Sequence, residues 1–257
     1  MATDETRDAA TRAYQQALKD TRTAVRMQLE KHYRALPDLR DESAHAFRDQ
    51  AVRLVMAGQQ RAVALTNAHF SGRVGLTNPA ALNVERIIND VRKGVPASIV
   101  YLRPIVTARA GIEKLGYAKA FEKGLARLLS TADMDIAMSA RDASTSFGES
   151  EERVVGYTRV AEPSCCDFCQ MIDGAQVFVS DPAPLHNNCG CTLEPITRTS
   201  KNQDGLRDRW TDVSAGAVIE DVEIQEHGEM GPLITRKGDS FDGPSTLPKS
   251  YFQEVDA

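Results

Sequence analysis

Three of the chain's five cysteines fall within five positions, in the stretch SCCDFC at residues 164–169, and the other two close the stretch HNNCGC at residues 186–191. The rest of the 257 residues contain no cysteine. Cys166 and Cys169 have the spacing of a metal knuckle, in which a tight turn aims two sulfurs at one ion. His186, Cys189 and Cys191 supply a second set. In an extended segment Cys189 and Cys191 project from one face, whereas a turn brings His186 and Cys189 together. Either choice completes four nitrogen and sulfur ligands, the number tetrahedral zinc takes in a closed structural site. Cys166, Cys169 and Cys189 are the expected ligands, with His186 or Cys191 as the fourth. Cys165, adjacent to Cys166, is expected to point elsewhere. Four protein ligands leave no open position for a catalytic water, so the expected zinc is a staple.

Other uses of the thiols fit the pattern less well. Disulfides need an oxidising compartment, and the polar N-terminus MATDETRDAATRAYQQ has no apolar export segment, so a cytoplasmic start is expected. A redox pair at Cys166 and Cys169 would open a helix in a βαβ setting, which the flanking residues do not provide. An iron–sulfur cluster would leave His186 without a role.

The elements that must position these residues change character along the chain. Tyr14, Leu18, Val25, Leu29 and Leu36 share one sector of a helix of about six turns at 100° per residue, and Pro37 ends it. Asp41 and Ser43 are candidate caps for a second helix with Phe47, Ala51, Leu54, Ala62 and Leu65 on one side. The two are expected to form an antiparallel hairpin. Gly and Asn-Pro content predicts a loop over 71–83. Helices are expected near 84–93 and 97–112, the latter broken or bent at Pro104, and over 117–138 with continuation toward Ser146. Past residue 152 the period shifts toward two. Residues 153–163, 177–179 and 191–196 read as short strands, the second entered through an Asp173-Gly174 turn and the third ended by Pro195. A polar linker follows, then a strand over 217–225 and a Gly/Pro-rich arm. The expected class is α+β: a helical region over 1–150, a small zinc-stapled β-rich domain over 151–200, and a linker and C-terminal arm over 201–257.

Charge is unevenly spread. Residues 1–150 carry 22 Lys and Arg against 17 Asp and Glu, and residues 151–257 carry 9 against 19. Two acid-free runs sharpen the contrast, one holding Arg53, Arg61 and Arg73, the other Arg92, Lys93, Arg103 and Arg109. Such a bias favours phosphate contact by this N-terminal part, with a solvated helix surface as the plainer alternative. No apolar stretch reaches the roughly 18 residues of a membrane span.

CDFCQMIDGAQVF (166–178) followed by PAPLHNNCGCTLEP (182–195) resembles the C-terminal signature of the Mu F-like minor head proteins of tailed bacteriophages. That signature runs as a Cys-x2-Cys pair, a Leu-Asp-Gly-like turn, an aromatic strand and Pro-x-His-x2-Cys-x-Cys. Ile172 stands here for the usual leucine, and Gly190 for a position where arginine is common. Residues 226–241, EHGEMGPLITRKGDSF, resemble C-terminal segments of actinobacteriophage members. The resemblance implies a protein of the virion interior, near the portal, assisting head assembly, DNA packaging or DNA release. Its implied partners are the portal protein, the major capsid protein and packaged DNA, with the host cytoplasm as the site of assembly.

The enzymatic alternatives are an HNH-like nuclease and a capsid maturation protease. The first needs a second histidine or an Asp-His pair to bind a catalytic metal and activate water, and no histidine other than His186 lies between residues 70 and 226. The second needs a nucleophile with a base, and neither Gly-x-Ser-x-Gly nor His-Glu-x2-His occurs. A nucleic-acid-binding zinc ribbon is opposed by the acidic charge of its own half. The expected function is non-enzymatic.

Overall fold

The computed structural model describes residues 4–90, 94–163, 165, 169–170, 173–174, 176–179, 190–198, 222–227, 231–236 and 238. The candidate ligands Cys166, His186 and Cys189 lie outside them, as do most of the expected linker and arm. Helices come first and antiparallel strands after, which is the α+β arrangement.

Helices α1 (Asp4–Arg34) and α2 (Asp41–Val74) meet along the expected stripes. Tyr14 bonds Thr66 through their hydroxyls at 2.7 Å, Val25 lies against Gly58, and Tyr33 meets Phe47 edge-on at 5.4 Å. Rising numbers on one helix match falling numbers on the other, so the hairpin is antiparallel. The start of α2 differs from expectation. Arg40, in extended conformation, holds the cap position without a side-chain bond, and Asp41 is already helical. Asp41 and Glu42 sit in the first turn, where negative charge meets the positive end of the helix dipole. The far end also differs, because Gly72 stays within the helix and the loop starts at Gly75. Gly75 turns left-handed at φ 73°, and the Leu76 N–H bonds back to Ser71 O at 2.8 Å. Only a residue without Cβ takes that turn cheaply.

Helix α3 (Val84–Asp90) follows, and the segment expected over 97–112 splits into α4 (Ala97–Val100) and α5 (Arg103–Leu115). Pro104 lies in the first turn of α5, where its missing N–H costs nothing.

Helix α6 (Tyr117–Ser150) runs beyond the expected end. Thr131, Ala132, Asp133, Met134, Asp135 and Ile136 are buried in succession, so the helix is covered on every side at that level. Its polar groups there are answered by neighbours. Arg22 of α1 forks onto both oxygens of Asp133, Tyr101 donates to Asp135, and Gln59 donates to Ser139 Oγ at 3.0 Å. No described helix is long and apolar enough to cross a membrane.

Strand β1 (Val154–Val160) is the middle of a three-stranded antiparallel sheet, between β2 (Gln176–Phe178) and β3 (Thr192–Thr197). Pro195 does not end β3. It sits inside the strand opposite Tyr157, tolerable because β3 is an edge of the sheet among the described residues. The sheet is fastened to the helices by Phe70, Val74, Phe147, Val154, Tyr157 and Leu193, which form one buried cluster. Tyr157 O–H donates to Ser144 O at 2.7 Å. A second sheet pairs β4 (Val222–His227) with β5 (Gly231–Arg236). The first covers the described part of the strand expected over 217–225. The second lies in the segment expected as an arm.

Close packing of α5 on α6 depends on Gly124. A Cβ built there would lie 2.6 Å from the Pro104 carbonyl and closer still to the Tyr33 hydroxyl. Because a backbone atom must give way, Gly124→Ala is expected to destabilise the protein by about 1–3 kcal/mol. Urea denaturation followed by far-UV circular dichroism measures it; an unchanged midpoint would show that α5 shifts freely.

Candidate metal centre and the polar lock beside it

Glu194 is a carboxylate set inside a strand whose neighbours are Leu193, Pro195 and Ile196, and its side chain is only 9% exposed. Burial on that scale is costly without partners. They come from two helices. Thr11 Oγ1 of α1 donates to Oε1 at 2.8 Å, His69 Nε2 of α2 meets the same oxygen at 2.6 Å, and Arg73 Nε of α2 donates to Oε2 at 2.6 Å. Tyr14 stacks flat on the His69 ring, with centroids 4.3 Å apart and planes 8° from parallel. Burial alone pushes the Glu194 carboxyl upward. The His69 hydrogen bond, the charges of His69 and Arg73 and the Thr11 bond outweigh it, so the group titrates below its ordinary range. Burial likewise raises the Tyr14 hydroxyl, partly offset by its bond to Thr66.

One turn further along α1, Gln15 Nε2 donates to Val160 O at 3.1 Å, to Thr192 Oγ1 at 3.2 Å and to Ala161 O at 3.3 Å. The next turn brings Lys19 to Glu162, and the next Arg22 to Asp133. Thr11, Gln15, Lys19 and Arg22 repeat at helical spacing, so α1 carries a polar stripe beside its apolar one.

This stripe faces the segments that enter and leave the cysteine motif. Val160 pairs with Thr192 at the end of the β1–β3 ladder. Carried past the ladder, that register would set Ala161 opposite Cys191 after one step and Glu162 opposite Gly190 after two. The packing agrees: Glu162 folds so closely over Gly190 that a side chain there would collide with its carboxylate. Lys19 pairs with that Glu162 carboxylate. On the other side, the Asp173-Gly174 turn precedes β2, as expected, and is bonded back to the end of β1. Ala161 N–H bonds Asp173 Oδ1 at 2.7 Å, Gly174 N–H bonds Arg159 O at 2.9 Å, and Gly174 has φ 76°.

The thiols themselves meet on α6. Cys169, 1% exposed, packs with Met134 and Met138, two residues one turn apart, and Cys165, Cys191, Ala137 and Ala161 pack against this group. Cys169 and Cys191, from the two ends of the motif, are therefore brought to one place. Cys165, expected to point elsewhere, packs at the same cluster. Among the described residues no group of three or more His, Cys, Asp or Glu is arranged to hold a metal, and Cys166, His186 and Cys189 fall outside them. The residues that are described fit zinc in donor type, two thiols set in an apolar, sulfur-rich surround.

The sequence reasoning did not find the lock. Its signals were a lone glutamate in an otherwise apolar strand and a histidine next to Phe70, but nothing local joins the two. Arg73 and Arg109, counted in the acid-free runs, are committed internally. Arg73 holds Glu194, and Arg109 bonds Asp41 and the Leu39 carbonyl.

The chain matches no family model, no curated protein and no solved structure.

Because the Glu194 carboxyl is depressed on folding, its contribution is present above the ordinary carboxylate value of about 4.3. It is lost as pH falls through the folded value. The melting temperature should therefore drop on acidification below about pH 4, and Glu194→Gln should flatten that dependence. Glu194→Ala, which leaves the half-buried Arg73 and the buried His69 without their carboxylate, is expected to cost about 3 kcal/mol at neutral pH. Thermal melts between pH 3 and 7 check both; parallel curves for wild type and Glu194→Gln would remove Glu194 from the acid response.

Proposed function

We propose that this chain is a non-enzymatic minor head protein of a tailed bacteriophage, of the Mu F-like head-morphogenesis kind. It would act inside the head near the portal, in head assembly, DNA packaging or DNA ejection. The supporting observation is the convergence of Cys169 and Cys191 on α6, beside a sheet that α1 and α2 grip by buried polar bonds. A motif so anchored suits a clasp that shapes a docking surface. The best-described histidine near it, His69, lies beneath Tyr14 and is engaged by Glu194, which suits a structural role rather than proton transfer.

In this reading Cys166, Cys169 and Cys189, with His186 or Cys191, hold a structural zinc, which when bound cross-links the two ends of the motif. The portal protein and the major capsid protein are the partners. Packaged DNA would meet the helical region through those arginines whose charge faces outward, such as Arg53, not through Arg73 or Arg109.

Two measurements test this. Quantitative mass spectrometry of purified particles from the source phage, against the major capsid protein, should find a few copies of the chain per particle; its absence from mature heads would sink the virion reading. Metal analysis of the purified full chain should find about one zinc per chain, falling steeply in Cys169→Ser. Folded protein without metal would end the zinc claim and leave the head assignment to the particle count.

A further inference from the structure

A cavity of about 260 Å³ lies among α2, α3, the turn before α4 and α6, and none of its lining residues belongs to the cysteine motif or to the Glu194 lock. Its volume is that of roughly nine water molecules at liquid density. Val55 and Ile88 are apolar wall, and the exposed Met56 and Val95 stand at the mouth. The floor is polar and buried: Gln59 of α2, Tyr101 and Asp135 of α6 are 5%, 1% and 3% exposed.

The orientation of the Gln59 amide follows from its neighbour. Ser139 Oγ spends its proton on the Asp135 backbone carbonyl at 2.9 Å, so it accepts from Gln59 Nε2 at 3.0 Å. With the nitrogen turned to Ser139, Oε1 is left over. Among the described residues that oxygen has no hydrogen-bond partner, yet it is not sealed from solvent although its residue is almost wholly buried. It therefore opens on the cavity that Gln59 lines. An acceptor without a donor, at the base of an apolar cavity, calls for a donor carried on an apolar stem. Asp135 selects a charged donor over a neutral one. Its carboxylate, which accepts the Tyr101 O–H, puts negative charge into a wall of low dielectric, where a nearby cation is held more strongly than in water. No described residue lining the cavity is Lys, Arg or His.

We infer that this cavity binds a primary ammonium group on a short, unbranched alkyl stem. The ammonium donates to Gln59 Oε1 within the field of Asp135, and the stem lies against Val55 and Ile88. A free alkylamine and the lysine side chain of a partner protein both carry that group. The inference depends on neither the zinc nor the head-protein reading, since it uses no residue of the motif.

The test is nuclear magnetic resonance of the full chain labelled with nitrogen-15, at neutral pH, titrated separately with butan-1-amine, Nα-acetyl-lysine N-methylamide and butan-1-ol. The expected result is a saturable shift of the Gln59 side-chain amide and of the Val95 and Ala97 backbone amides with an amine probe. Binding should be about tenfold tighter than that of butan-1-ol, since a charge-assisted bond replaces a neutral one. Saturation by butan-1-amine assigns the site to free amines; saturation by the lysine derivative alone assigns it to a protein side chain. Gln59→Leu and Asp135→Asn should each weaken the amine. Val95→Trp, a change at the exposed mouth that leaves the floor intact, should block it, and this variant carries the test if either floor variant loses its helical circular dichroism. The inference is overturned if butan-1-ol binds as tightly as the amines, if no probe saturates, if the shifts fall away from the cavity, or if Val95→Trp binds as the wild type does.

Discussion

A carboxylate in the interior must be answered by donors or it will not stay charged, and Glu194 is answered by side chains from two helices that precede it by more than a hundred residues. Thr11, His69 and Arg73 converge on its two oxygens. Because hydrogen bonds are directional, this convergence sets where β3 lies against α1 and α2 far more narrowly than apolar packing would. Once β3 is placed, its register with β1 places Val160 beside Thr192. The segments leaving those residues carry the cysteines. The position of Cys191 is thus tied, through four residues of strand, to a buried ion pair.

Helix α1 works as a two-sided part. Its apolar stripe, with Tyr14, Leu18, Val25 and Leu29 buried, belongs to the helical core. Its polar stripe reaches the C-terminal elements instead, at Glu194, Ala161, Glu162 and, through α6, Asp133. Helix α6 solves the opposite problem. It is enclosed, and small residues such as Ala132, Ser139, Ala140, Ala143 and Ser144 let neighbours approach while their hydroxyls bond within the helix. Met134 and Met138 are the exceptions in size, and they are the surface on which the thiols rest. Flexible, polarizable methionine suits an irregular wall of this kind.

These arrangements bear on how the cysteine motif can act. Its described thiols pack at Met134 and Met138 of α6, a helix buried along much of its length. The adjoining ion pairs have unequal weight. Lys19 is about half exposed and contributes little. Arg22 and Asp133 are mostly covered, so losing one would strand the other in the interior. The lock at Glu194 and the fork at Asp133 therefore bracket the motif on the helical side.

Much of the architecture was legible from residues alone, where the signal acts within a turn or two. Apolar periodicity marked α1 and α2, Pro37 and Pro104 marked breaks, and the Asp173-Gly174 pair marked a turn, because each acts on its own backbone. The nearness of the two cysteine pairs in the chain pointed to one site, and of those candidates the described Cys169 and Cys191 both lie at the Met134 and Met138 cluster. Where local rules misjudged, a neighbour distant in sequence decided. Pro195 continues a strand because that strand is an edge among the described residues. Glu194 bonds residues 183, 125 and 121 positions away. Sequence by itself indicated most of the helices and the strands β1 to β3, and named residues whose chemistry suits a metal, since propensity and ligand type are properties of the residue and its neighbours. The burial of a carboxylate, the register that sets Thr192 opposite Val160, and the wall behind the thiols were decided only by tertiary structure. Each depends on the free energy of desolvating groups that meet only after the chain has closed on itself.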